Sequence, residues 1–159
     1  RGLKIQFIIV GVNAEDISTY ENYNEIIQFP NNIQFIGKVP QNVVPLYYKS
    51  SDFSIIVREN SRKSKAGFPT KFVESMMSGC PVIVNITSDL SAYINDNENG
   101  IVLKDFSIDS LTEVLENATR LSSNDIVKMK KQALQTGRKY FYFRNYTESM
   151  NEFLKRCYS

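Results

Sequence analysis

Five short apolar stretches punctuate the 159-residue chain: "LKIQFIIVG" (3–11), "NIQFIG" (32–37), "FSIIV" (53–57), "PVIV" (81–84) and "GIVLK" (100–104). Most are nearly continuous in apolar character, as strands covered on both faces are. Between them, 19–28, 43–51, 69–78 and 88–95 carry helical spacing. Three more helical stretches follow near 107–121, 123–140 and 145–157. This alternation predicts an α/β fold, a Rossmann-like open parallel sheet with helices on both faces. No internal repeat or low-complexity linker interrupts the pattern, and 1–159 reads as a single domain. "DNENG" (96–100) predicts a turn into the last strand, with Gly100 supplying a positive φ.

Composition narrows the function classes. With 42% hydrophobic and 23% charged residues the chain is ordinary for a globular protein. A net charge of +2 is too small to argue for nucleic acid or a membrane surface. No apolar run reaches bilayer length, and no signal peptide is visible. The sequence enters a strand-like run directly after Arg1-Gly2, which reads as a fragment of something longer. Cys80 and Cys157 are far apart, which argues for a reducing, cytoplasmic compartment and against a disulfide scaffold or zinc site. The absence of histidine excludes a Ser-His-Asp triad and any His-ligated metal within this chain.

Ligands of open α/β sheets bind beyond the carboxyl ends of the strands. Gly11 and Gly37 follow strands directly and read as tight exit turns. The loop after "FSIIV" is different: it is long, and holds Arg58, Arg62, Lys63 and Lys65 against Glu59 alone. It ends in Gly67-Phe68-Pro69, where the proline suits the first position of a helix. The free amides of that helix start form an anion site, and Gly67 lets a phosphate come close. Lys71 adds a cation. Glu74, five residues beyond Pro69, lies roughly 7.5 Å along the axis, about the offset from a pyrophosphate to the ribose hydroxyls of a nucleotide. Phe72, Val73, Met76 and Met77 form a core-facing stripe on the other side. The same residues also read as a solvated basic loop and an i,i+3 surface pair, and chemistry alone favours that plainer reading.

Residues 33–103 carry a longer pattern: Phe35-Ile36-Gly37, then Tyr47-Tyr48 and Ser50-Ser51-Asp52, then Gly67-Phe68 through Glu74, then Gly79-Cys80-Pro81-Val82-Ile83 and Asn99-Gly100. In order and spacing it resembles the C-terminal, donor-binding domain of GT-B fold glycosyltransferases, specifically retaining family 4. "GFPTKFVE" is most similar to the bacterial surface-polysaccharide type. The resemblance implies that Glu74 matches the second glutamate of the family's E-x7-E motif. It implies that Gly67, Phe68, Pro69, Thr70 and Lys71 cradle the donor phosphates, and that Gly37, Lys38 and Val39 meet the nucleobase. Transfer in the family is metal-free and needs no cofactor, with the diphosphate leaving group stabilised by cations, here Arg58 and Lys71, and by amides. The implied partners are a UDP- or GDP-sugar and an N-terminal acceptor domain, with no nucleic acid. The full-length enzyme would work in the cytoplasm, and peripheral association with the inner face of the membrane stays open.

Eight residues before Glu74 stands Ala66, so the motif's first glutamate is absent. Arg58 or Glu59 could meet the sugar instead. Ser88, Asp89 and Ala92 stand where many relatives carry a glycine pair and a glutamate. The family's first strand and its arginine-lysine pair would precede residue 1. The expected function is the donor half of a transferase acting with retention in capsule, exopolysaccharide or lipopolysaccharide synthesis, inactive in isolation. The alternative is a catalytically inactive nucleotide- or sugar-binding module. A phospho-receiver domain is rejected, because Arg58 and Glu59, not an aspartate, follow "FSIIV". "GRKYFYFRNY" (137–146) could suit single-stranded nucleic acid but reads better as an aromatic helix junction.

Overall fold

The computed structural model describes residues 4–17 and 30–157, so the helix expected over 19–28 lies outside the described residues. The chain divides into two compact units, Arg1–Pro45 and Leu46–Ser159.

In the first unit β1 (Phe7–Val10) and β2 (Ile33–Gly37) pair in parallel, with Phe7 opposite Ile33 and Ile9 opposite Phe35. A short helix, α1, opens at Ala14–Ile17, where Asp16 Oδ2 accepts from the Asn13 N–H at 2.8 Å. Gly37 ends β2 at φ 70, and a Cβ there would stand 2.5 Å from Asn13 Oδ1. Glycine is required twice over, by conformation and by space. Helix α2 (Val44–Ser50) leads into the second unit.

The second unit is built on three parallel strands, β3 (Ser54–Ile56), β4 (Val82–Val84) and β5 (Gly100–Val102), in the order β3-β4-β5. Every residue of central β4 is buried, which is why it reads as an unbroken apolar run. Its side chains alternate between two cores. Val82 and Val84 join Phe72, Met76, Leu90, Ile94 and Ala133, while Ile83 joins Ile101, Leu103, Val114 and Met129. The helices are α3 (Arg62–Ala66), α4 (Thr70–Met77), α5 (Ile108–Ala118), α6 (Ser123–Tyr140) and α7 (Thr147–Cys157). Ser107 and Ser122 cap α5 and α6 by accepting from the N–H groups of Ser110 and Asp125.

Helix α4 is held from beneath. Ser75, fully buried, donates to the Cys80 carbonyl at 2.8 Å and shares a 2.6 Å hydrogen bond with the Ser54 hydroxyl, joining the helix to the starts of β3 and β4. From the other side α6 crosses so closely that a Cβ on Gly137 would stand 2.7 Å from the Met76 carbonyl carbon. The residues after α6 form an aromatic junction: Phe141 lies 5.9 Å from Phe68, 6.0 Å from Phe72 and 5.0 Å from Tyr93, centroid to centroid. Further on, Phe143 and Tyr146 are exposed.

Three expectations need correction. Residues 88–95 form only a 3-10 turn, Leu90–Ala92, because Ser88 takes φ 52 and buried Asn99 claims the backbone around it. Asn99 donates to the Tyr93 carbonyl and accepts from the Asn95 N–H, the groups a helix would have used. Gly100 does not take a positive φ; Asn97 does, at 60°. Gly100 is needed for close approach, since a Cβ would lie 2.4 Å from the Val82 carbonyl oxygen. Finally, the long loop after β3 contains α3. Ser61 accepts from the Ser64 N–H while the Ser64 hydroxyl accepts from the Ser61 N–H, a reciprocal cap.

Candidate functional site

The site is assembled around the start of α4. Pro69 is its N-cap rather than its first helical residue; the helix opens at Thr70, so Glu74 lies four residues in, roughly 6 Å along the axis. Pro69 has no polar side chain to offer, and among the described residues no side chain caps the helix. The amides of Thr70 and Lys71 therefore have no capping partner among the described residues at the positive end of the helix dipole.

Arg58 fixes the approach to this end. Its backbone N–H donates to Asn85 Oδ1 at 2.9 Å, and Asn85 Nδ2 donates back to the Arg58 carbonyl at 2.7 Å. The guanidinium Nη1 donates to the Gly67 carbonyl at 2.8 Å, so the exits of β3 and β4 and the entry to α4 are pinned together. Its Nη2 lies 4.0 Å from where a Gly67 Cβ would stand. Gly67 itself has φ −119, open to any residue, and a Cβ there would meet only ordinary contacts. Neither backbone conformation nor protein crowding demands the glycine. Phe68 turns into the core against Phe72, ring to ring at 5.9 Å.

Glu74 has two partners, and both meet the same oxygen. The Lys71 ammonium stands 3.1 Å from Oε2, and the Tyr48 hydroxyl donates to Oε2 at 3.4 Å. No protein group among the described residues meets Oε1. Lys71 and Glu74 thus form the i,i+3 pair that the plainer reading expected, with side chains 63% and 39% exposed. Tyr48 was missed as a participant. It lies in the Tyr47-Tyr48 pair of the family pattern, but which tyrosine turns toward Glu74 is a matter of tertiary packing. Burial first, then the Glu74 charge and hydrogen bond, push the Tyr48 phenol up to about 12.

Arg58, Gly67, Phe68, Pro69, Thr70, Lys71 and Glu74 thus meet in the second unit; Gly37, Lys38 and Val39 belong to the first, where Lys38 is exposed and Val39 half-buried. Ala66 closes α3 with an exposed methyl, and Glu59 is exposed. A cleft of about 720 Å³ opens beside Asn60, Asn85, Ile86, Ser91, Lys104 and Phe106, large enough for a small ligand. None of the donor-binding residues expected from sequence lines it, although Asn85 ties it to Arg58. Among the described residues no cluster of His, Cys, Asp or Glu is arranged to hold a metal ion, and no helix is long and apolar enough to cross a membrane.

The family model for glycosyl transferases group 1 matches residues 1–140. The chain belongs to this family. No curated protein sequence matches it. Among solved structures, this glycosyltransferase domain is similar to Anabaena Alr3699/HepE in complex with UDP, at 16% identity over 96% of this chain and 41% of that one, with a TM-score of 0.73. The Anabaena protein is also described with UDP-glucose. Sucrose-phosphate synthase from Thermosynechococcus elongatus aligns at 14% identity over 96% of this chain and 38% of its own, with a TM-score of 0.74. The C-terminal domain of the group 1 protein LpcC from Francisella tularensis aligns at 20% identity over 80% of this chain and 60% of that chain, with a TM-score of 0.58. The fold is thus the α/β fold of GT-B C-terminal domains. The chain spans about two fifths of the length of the first structures it matches.

Proposed function

We propose that this domain is the donor-binding half of a retaining glycosyltransferase. It binds a UDP- or GDP-sugar by its diphosphate at the start of α4 and by its ribose at Glu74. The observation that carries this reading is the carboxylate of Glu74, held through one oxygen and, among the described residues, unpartnered at the other, roughly 6 Å along the helix from amides that no described side chain caps. An acid at that offset accepts from vicinal hydroxyls while the helix end receives the diphosphate.

As the glycosidic bond breaks, negative charge grows on the departing diphosphate. The Thr70 and Lys71 amides and the Lys71 ammonium stabilise that charge without a metal or cofactor. Lys71 reaches the phosphate by leaving Glu74, a surface pair whose loss costs a few tenths of a kcal/mol. The guanidinium of Arg58, whose Nη2 lies beside Gly67, adds a second cation. Gly37, Lys38 and Val39 supply the nucleobase contacts. An N-terminal domain supplies the acceptor, and the work is assigned to bacterial surface-polysaccharide synthesis at the cytoplasmic face of the membrane, on the resemblance of "GFPTKFVE". Isolated, the chain transfers no sugar.

Calorimetric titration with UDP and GDP tests the reading. The better ligand binds more weakly as salt rises, and Glu74→Ala loses about tenfold or more, the worth of a charge-assisted hydrogen bond. Equal affinity in wild type and Glu74→Ala overturns the ribose role. A second reading, a binding module without turnover, draws on the exposed Ala66 methyl where a sugar-contacting carboxylate would stand. Nucleotide-sugar turnover by the full-length protein decides between them: binding without transfer selects the module.

A further inference from the structure

Two groups compete for Glu74 Oε2, and their situations differ. Lys71 sits one helical turn away on an exposed surface with its ammonium in solvent, so it can exchange Glu74 for a stronger anion. Tyr48 comes from a different element, 26 residues earlier, and its half-buried phenol has no other protein partner among the described residues. The end of α2 that carries it is tied down: the Ser51 N–H and hydroxyl both donate to the Tyr47 carbonyl, at 3.0 and 2.8 Å. The thiol of Cys80, buried beside this region, lies 3.9 Å from the Ser51 carbonyl and 3.7 Å from the Pro81 carbonyl, a weak contact shared between them. Tyr47 lends its carbonyl to this anchorage; Tyr48 lends its hydroxyl to Glu74.

From this geometry we infer that Tyr48 is the positioning residue of the site. Its hydroxyl keeps Glu74 Oε2 engaged when Lys71 turns to a phosphate, so that the unclaimed Oε1 stays aimed at a vicinal diol. The inference rests on the ribose role of Glu74 proposed above. A carboxylate with one oxygen anchored loses less rotational freedom on binding than one that must be fixed by the ligand alone. The phenol suits this task because it remains a donor throughout the physiological range. Both partners on Oε2 also leave a clear division of labour: Lys71 serves the anion, Tyr48 serves the diol.

The test compares UDP with 2′,3′-dideoxy-UDP, and GDP with its dideoxy analogue, by calorimetry on the intact chain. Tyr48→Phe keeps the ring and removes the hydroxyl. It weakens the natural diphosphate threefold to tenfold and leaves the dideoxy analogue unchanged, as Glu74→Gln does more strongly. In a Glu74→Gln background, Tyr48→Phe costs nothing further. Lys71→Ala weakens both ligands alike. A Tyr48→Phe loss that is equal for both ligands would show a role confined to local structure and overturn the inference, as would no loss for either. If Glu74→Gln is also without effect, or no diphosphate binds, the ribose reading falls first and takes this one with it. If Glu74→Gln selectively weakens the natural diphosphate and Tyr48→Phe does not, only the positioning role falls. Thermal melting confirms that each variant is folded, and Tyr48→Met replaces Tyr48→Phe should the latter not fold.

Discussion

The two faces of α4 do opposite work within eight residues. The inner face, Phe72, Ser75 and Met76, is fully buried against β3, β4 and α6, with every polar atom of Ser75 engaged. The outer face, Lys71 and Glu74, is partly exposed and carries an oxygen that no protein group among the described residues meets. Burial of apolar surface stabilises the inner face, and close packing makes it intolerant of change. The outer face contributes little to stability because its ion pair stands in water. Rigidity on one side is what lets a short helix present amides and a carboxylate at a set spacing on the other.

Breaking the inner face should give the largest effect. Phe72→Ala removes a fully buried ring from the junction with Phe68 and Phe141, and is expected to cost about 3–5 kcal/mol in urea unfolding. A cost under 1 kcal/mol would mean that the inner face is not the anchor. Next in size is Gly137→Ala, whose methyl would meet the backbone of Met76 and Met77 at 2.7–2.8 Å. Backbone cannot rotate aside, so overpacking of about 1–3 kcal/mol exceeds the helix propensity of roughly 1 kcal/mol that alanine gains. A more stable Gly137→Ala protein would show that α6 can back away from α4.

The smallest effect lies on the outer face and appears only in alkali. The Tyr48 phenol titrates near 10 when unfolded and at about 12 in the fold. Its contribution to stability is therefore fully present below pH 10 and is lost as pH rises through about 12. Tyr48→Phe has no phenol to ionise, so the stability difference between wild type and variant should shift against the wild type over that interval. Parallel curves from pH 9 to 12 would mean that neither burial nor Glu74 raises the phenol in the fold.

How much of this could be read beforehand depends on the range of the interactions involved. The strands β1 to β5 and helices α2, α4, α5, α6 and α7 were legible because apolar spacing records burial directly. α3 was hidden in a run of cations, since its cap pairs Ser61 with Ser64 instead of the glutamate or glutamine that marks a capping box. The turn at 88–95 passed for a helix because the hydrogen bonds of Asn99 come from beyond it. Gly137 carries a signal in the sequence, since a glycine inside a helix often has a packing reason, here the close approach of the α4 backbone.

For the site the division is sharper. The sequence by itself determined that a glycine-proline entry, a lysine and a glutamate share one end of one helix, because spacing along a helix is a local property. Only the tertiary structure decided that Arg58 and Asn85 pin the entry loop, and that Tyr48 rather than Tyr47 reaches the carboxylate that helical spacing already pairs with Lys71. Those contacts join residues 26 and 27 positions apart, or depend on which rotamer wins, and no periodicity encodes them.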